Sequence, residues 1–318
     1  MYVVLGASGN TGHVVTQNLL ARQQKVRAVG RNEAHLQPFA AQGAEIFIGD
    51  VTDAAALTRA LQQADAAYMM IPSNPATNDP LGHYDQVSDA IAAAVKNAGI
   101  KNVVALSSIG ADKPSGTGPV VGLHNFEQKL SGIDGVNVLF LRPGYFMENT
   151  LGQAAVIRVM GAVAGPFRPD LKLPMIATRD IGAVAADALL NLEFHGKHSR
   201  ELQGQRDLDY TEVAATIGKA IGKPDLRYVH PPNEQIRPAL VQAGMSEKFA
   251  DLILEMAGSL NSGYMRFLGS SNLAARRTRL QPRSKPSSLR YSSRRTSNQA
   301  TTSGVRVQRE TEVPFLVA

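Results

Sequence analysis

Over its first half the chain alternates short apolar runs with longer amphipathic ones. Residues 2–5, 26–29, 45–48, 66–71, 103–106 and 136–141 are short and rich in β-branched and aliphatic side chains, as strands buried on both faces are. Between them, residues 10–23, 33–41, 54–63, 83–98 and 124–130 carry helical periodicity. Strand and helix in alternation at this spacing predict an α/β fold with a doubly wound parallel sheet, both faces covered by right-handed crossovers. From Tyr145 the texture changes to longer helical stretches at 149–163, 181–192, 210–221, 234–243 and 247–260, with short extended pieces at 201–203 and 225–229. This pattern predicts a nucleotide-sized α/β domain over 1–150, with a return helix near 180–192, and a smaller, mainly helical domain over 151–268. The second part is expected to close over the C-terminal edge of the sheet.

After Leu268 the periodicity stops, and residues 269–318 are rich in Ser, Thr and Arg. Such a segment has too little apolar surface to offset its ordering entropy, so a disordered basic tail is predicted there. Charge sharpens the division. The whole chain of 318 residues has a formal net charge of +6, but ten basic and two acidic residues fall in 269–318, leaving 1–268 at −2. The basicity therefore reads as a solvated run, not as a nucleic-acid surface, because it lacks the aromatic spacing and groove-reading motifs such a surface needs. No stretch approaches the roughly 18–20 apolar residues that cross a bilayer. Cysteine is absent, which excludes disulfides, thiol nucleophiles and thiolate metal sites, and no histidine–carboxylate cluster has ligand spacing. With strand-like residues starting at Tyr2, a cytoplasmic protein is expected.

The first candidate chemistry lies where the first strand meets the first helix. Gly6-Ala7-Ser8-Gly9-Asn10-Thr11-Gly12 has the spacing G-x-x-G-x-x-G. Gly6 allows a tight exit from the strand, Gly9 lets backbone approach a pyrophosphate, and Gly12 lets the helix pack closely on the sheet. Unpaired N–H groups and the positive dipole end then favour phosphate, so a Rossmann-type dinucleotide site built on Gly6, Ser8, Gly9, Asn10, Thr11 and Gly12 is predicted. The second strand ends in Gly30-Arg31-Asn32 without the carboxylate that usually accepts from an NAD ribose. Arg31 can instead pair with a 2′-phosphate, so NADP(H) is favoured and NAD(H) is the alternative.

Taken together, Val4-Leu5-Gly6-Ala7-Ser8-Gly9-Asn10-Thr11-Gly12, Gly49-Asp50-Val51-Thr52-Asp53, Ser107-Ser108-Ile109-Gly110, Leu141-Arg142-Pro143-Gly144-Tyr145-Phe146-Met147-Glu148-Asn149 and Thr178-Arg179-Asp180-Ile181-Gly182 resemble the NmrA-like group of atypical short-chain dehydrogenase/reductases. The resemblance runs over about 1–268. It implies Asp50 and Val51 beside the adenine, Ile71-Pro72-Ser73 beside the nicotinamide-side ribose, and residues 143–146, with Pro143 and Tyr145, lining the nicotinamide pocket. It also implies either a reductase of quinones, azo dyes or related acceptors, or a non-enzymatic sensor whose NAD(P) occupancy controls a partner protein. Members of the group continue past the equivalent of Leu268 into a further ordered segment; here Gly269-Ser270-Ser271 and arginine-rich sequence follow, as after a shifted reading frame or a fused end.

The usual catalytic relay of short-chain dehydrogenases, a serine with Tyr-x-x-x-Lys, is incomplete. Ser107 or Ser108 can fill the serine position, but no tyrosine has a lysine four residues on, and Leu123-His124-Asn125-Phe126-Glu127-Gln128-Lys129 stands where the pair belongs. His124, at the expected start of a helix, and Tyr145 are the catalytic candidates; Tyr145 reads more as a pocket wall than as a proton donor, and Glu127 as a first-turn carboxylate. Without the relay, acceptors whose reduction needs little protein acid are favoured. The expected activity is hydride transfer from NADP(H) to a quinone-like or other conjugated small molecule, with the partner-binding NAD(P) sensor as the alternative.

Overall fold

The computed structural model describes residues 1–269, and the predicted tail lies, but for Gly269, outside them. The first half runs β1 (Tyr2–Leu5), α1 (Asn10–Ala21), β2 (Val26–Gly30), α2 (Glu33–Ala40), β3 (Glu45–Ile48), α3 (Ala54–Leu61), β4 (Ala66–Met69), α4 (Pro80–Ala98), β5 (Asn102–Leu106), α5 (Val120–Ser131) and β6 (Asn137–Pro143). Then follow β7 (Tyr145–Phe146), a 3-10 helix (Met147–Gly152), α6 (Gln153–Met160), β8 (Val163–Ala164), β9 (Met175–Ile176), α7 (Thr178–Asn191), β10 (Lys197–Leu202), α8 (Tyr210–Ala220), β11 (Tyr228–Val229), α9 (Asn233–Gln242) and α10 (Glu247–Asn261).

Seven parallel strands form the central sheet in the order β10-β6-β5-β4-β1-β2-β3, which is the doubly wound Rossmann arrangement. Side chains alternate between its faces as a strand requires. Val3, Leu5, Val103 and Ala105 pack with α3, α4 and α5 in one core, whereas Val4, Ala28, Val104 and Leu139 pack with α1, α2 and α7 in the other. Each such buried valine or leucine side chain contributes about 1.5–3 kcal/mol. The C-terminal helices join the first core through Phe249, Ile253 and Met256 of α10, which brings α10 against the C-terminal ends of β5 and β6.

Three local readings are corrected. The piece at 201–203 is part of a six-residue strand, β10, in register with β6 from Lys197 opposite Val138 to Leu202 opposite Pro143. Its sequence, KHSREL, is polar because β10 is an edge strand, and charged side chains suit an edge. Helix α5 starts at Val120, not at 124, so His124 and Glu127 lie within the helix, beyond its first turn. Gly122 obscures that start, yet the packing demands it, since a Cβ there would lie 2.5 Å from Tyr84 on α4. The expected helix over 149–163 is split into the 3-10 turn and α6, which Gly161 ends in the left-handed region at φ +65°. Among the described residues no helix is long and apolar enough to cross a membrane.

Candidate active site

All strands of the sheet are parallel, so β1, β2, β3, β4, β5 and β6 end on one edge, and the strand order reverses between β1 and β4. That switch point opens a crevice in folds of this type. Gly6 leaves β1 at φ +68°, with the Ala7 N–H bonded to Val29 O at 3.1 Å and the Gly9 N–H to Gly6 O at 2.9 Å. Gly9 caps α1 through its backbone alone; no side chain caps the helix and no acidic residue sits in its first turn. The first-turn N–H groups and the dipole are therefore left for an anion. Ser8 is exposed and Asn10 half-buried, but Thr11 is buried, its hydroxyl accepting from Tyr68 at 2.9 Å. Burial holds the Tyr68 phenol far above its ordinary range.

Arg31 projects exposed from the end of β2. Asp50, exposed after β3, accepts from the Thr52 N–H at 2.9 Å and the Thr52 hydroxyl at 2.7 Å. Those bonds hold its carboxyl below the usual carboxylate range, and the charges of Arg31 and His83 add to the effect. Val51 and Ile71 are buried, and Pro72 is half-buried with its carbonyl 3.0 Å from His83 Nε2. These residues flank the crevice on the β2–β3 and β4 sides.

Beyond β5 and β6 lies a second part of the same edge, a narrow cleft of about 40 Å³. Ser107, Ser108, Tyr145 and Asn149 form its polar lining, while Met256, Leu260 and Met265 close it from the C-terminal side. Pro143, buried at the end of β6, accepts from the Ile109 N–H at 3.1 Å and so ties the floor to the loop after β5. Sequence reading missed Asn149 and the three residues from 256 to 265. Asn149 closes a family motif without any sign of which way it points, and the three apolar residues lie most of the chain away from the glycine turn with nothing in their local pattern to distinguish them from core.

Of the two serine candidates, Ser107 is already engaged. Ser107 is buried and its hydroxyl donates to Glu127 Oε1 at 2.5 Å. Glu127 is buried too and receives Arg142 through two bonds, Nε at 2.8 Å and Nη2 at 2.5 Å. Glu127 is thus no first-turn carboxylate: α5 turns it inward onto the half-buried Arg142. Burial opposes the charge of Arg142, but the bonds and charge of Glu127 more than offset that. His124 is half-buried with Nδ1 2.8 Å from Ala111 O, a geometry that makes Nδ1 the donor. It is not among the cleft-lining residues. Lys129 faces α4 instead, donating to Asp85 and Ser88. Tyr145, by contrast, lines the cleft, and its hydroxyl accepts from Tyr210 at 3.0 Å. Among the described residues no cluster of His, Asp and Glu could hold a metal ion.

Residues 2–264 match the NmrA-like family. The chain is 32% identical over 260 residues to an NAD(P)H azoreductase of Xenophilus azovorans, covering 80% of this chain and 86% of that protein. It is 30% identical over 260 residues to quinone oxidoreductase 2 of Escherichia coli, again covering 80% and 86%. The solved structure of an Escherichia coli NADPH-dependent quinone oxidoreductase complexed with NADPH superposes with a TM-score of 0.70 at 27% identity, over 84% of this chain and 91% of that one.

Proposed function

This chain belongs to the NmrA-like family, and from that premise we propose that it is an NADP(H)-dependent reductase of a quinone-like or other conjugated acceptor. NAD(H) is the lesser cofactor in this reading. The observation that carries it is the shared edge: an uncapped glycine turn at the β1/β4 switch point and an apolar cleft beyond β5 and β6 open on the same side of one sheet. A dinucleotide laid along that edge puts its pyrophosphate at Gly9–Gly12 and its reactive ring at the cleft.

Each part of the dinucleotide then has a candidate partner. The backbone of residues 6–12 holds the pyrophosphate, and Gly9 suits this because a Cβ there would meet only Gly6 O, at 3.3 Å, leaving its outer side open. Arg31 pairs with the 2′-phosphate. Asp50 and Val51 meet the adenine, Ile71 and Pro72 the second ribose, and Ser107, Pro143 and Tyr145 the nicotinamide side. When bound, the reduced nicotinamide supplies the hydride; the protein's share is alignment and exclusion of water. Ser107 donates its only proton to Glu127, and His124 stands outside the cleft lining, so neither is placed as a general acid for the acceptor. This supports acceptors that spread the arriving charge over a conjugated system and take their proton from solvent.

Calorimetric titration with NADPH and NADH, followed by NADPH oxidation across a panel of quinones and azo dyes, tests the reading. Tighter binding of NADPH and turnover with at least one acceptor are expected. Tight binding with no oxidation by any member would refute the reductase.

A further inference from the structure

The polar lining of the cleft contains one hydroxyl whose direction is set from outside it. Tyr210, the first residue of α8, is 2% exposed and lies among aromatic rings: Phe167 stacks on it at 5.3 Å and 28°, and Tyr228 lies 5.0 Å away, tilted. Tyr228 is no partner for its hydroxyl, because Tyr228 donates to the carbonyls of Gly165 and Phe167 at 2.8 and 2.7 Å. Among the described residues the hydroxyl of Tyr210 bonds to Tyr145 Oη alone, at 3.0 Å. A buried hydroxyl with one partner donates to it, since an unmet O–H costs more than an unmet lone pair. The donated proton fills a lone pair on Tyr145 Oη, and the proton of Tyr145 must point elsewhere. The remaining direction is toward Asn149, whose side chain also reaches the Tyr145 hydroxyl, and the cleft that the two residues line.

We propose that the Tyr145 hydroxyl is the donor that receives the oxyanion formed on the acceptor, and that Tyr210 is a positioning residue that aims it. The inference rests on the reductase reading above. In the step concerned, the acceptor gains a hydride and with it two electrons, and the dinucleotide is oxidised. One carbonyl bond of the acceptor gives up its π pair to oxygen, which takes the negative charge. Tyr145 lends that oxygen a hydrogen bond and keeps its own proton; solvent later protonates the product. Both phenols suit a donor that does not ionise, because burial raises each above its ordinary range. The rings of Phe167 and Tyr210 against Tyr145 hold the donor in place before an acceptor arrives, which is the condition for such a bond to favour the charged product over the neutral substrate.

The test uses the full chain with NADP+ present and 4-nitrophenol as a product-like probe, whose phenol and phenolate forms absorb differently. In the wild type the bound probe should ionise about tenfold more readily than the free one. Tyr145→Phe should abolish that preference, and Tyr210→Phe should reduce it about threefold. The decisive comparison is the double variant: if Tyr210 acts through Tyr145, Tyr210→Phe has no further effect once Tyr145 is phenylalanine. Equal effects of Tyr210→Phe in both backgrounds would reduce Tyr210 to a packing residue and overturn its role. Loss of the preference in Ser108→Ala instead of Tyr145→Phe, or no preference in the wild type, would overturn the donor itself. Turnover of a benzoquinone should follow the same cycle, with kcat reduced about tenfold in Tyr145→Phe and KM nearly unchanged. A Tyr145-dependent shift of the probe without turnover on any acceptor would sink the reductase and leave the donor pair standing.

Discussion

Gly12 approaches the carbonyl oxygen of Gly6 so closely that a Cβ on Gly12 would lie 2.1 Å from it, whereas a Cβ on Gly9 would meet that same oxygen at 3.3 Å and nothing else. The glycine turn thus contains residues of two kinds. Gly6 and Gly12 are there because strand and helix meet, whereas Gly9 has no such internal demand and in the proposed site serves the dinucleotide.

The two kinds separate by mutation. Gly12→Ala should destabilise the fold by about 1–3 kcal/mol or more, as overpacking against backbone does. Gly9→Val should fold normally, since Gly9 has an ordinary φ of −81°, yet lose dinucleotide binding. Thermal melts and calorimetry on both variants read this directly; undiminished NADPH affinity in a folded Gly9→Val protein would remove the phosphate site from this turn.

Arg31 carries cofactor preference in the proposed site. Replacing it with Asp exchanges a charge-assisted partner of the 2′-phosphate for a repulsive carboxylate beside Asp50. The expected cost for NADPH is about 1.5–3 kcal/mol, with NADH unaffected or improved. An unchanged ratio of the two affinities, measured by fluorescence titration, would dismiss the role of Arg31.

Glu127 holds Arg142 and Ser107 beneath the cleft. Its removal in Glu127→Ala leaves the half-buried Arg142 without its direct partner, with only Asp112 and Glu201 left nearby, and should cost about 1–3 kcal/mol. Glu127→Gln keeps an acceptor for the Ser107 hydroxyl and should cost less. Urea unfolding of the pair checks this, and equal stabilities would mean that charge does not matter at this position.

The α8 end that carries Tyr210 is predicted to weaken in acid. Asp209 caps the helix and Glu212 closes a capping box with it, while Lys172 donates to both carboxylates, at 2.7 and 2.9 Å. Lys172 and Arg206 hold Glu212 down to about 2. Burial alone would raise Asp209, but Lys172 and the Glu212 N–H outweigh it and hold that carboxyl low as well. Because both folded-state values lie below the unfolded ones, this stabilisation is complete above the ordinary carboxylate range and is lost as pH falls through the folded values. The urea midpoint should drop between about pH 5 and about pH 2, and drop less in Lys172→Met. Parallel pH dependence in the two proteins would show that the box does not respond.

Much of the architecture is legible along the chain. Alternating apolar and amphipathic runs determined the doubly wound sheet, because a strand buried on both faces and a helix covering it each leave a local period. The glycine spacing, the missing carboxylate at Arg31 and the family motifs determined where a dinucleotide would lie, since phosphate binding uses backbone within a few consecutive residues. What the side chains near the cleft do was decided only in three dimensions. Ser107 meets Glu127 from 20 residues away, and Tyr145 meets Tyr210 from 65. The edge strand β10 left no apolar pattern to read, and Gly122 hid the start of α5, so His124 and Glu127 looked like helix-end residues. Local sequence records which face of an element is buried. Which polar groups find each other inside depends on how distant elements pack, and at this site that packing turned Glu127 inward, tied His124 to Ala111 and joined the hydroxyls of Tyr145 and Tyr210.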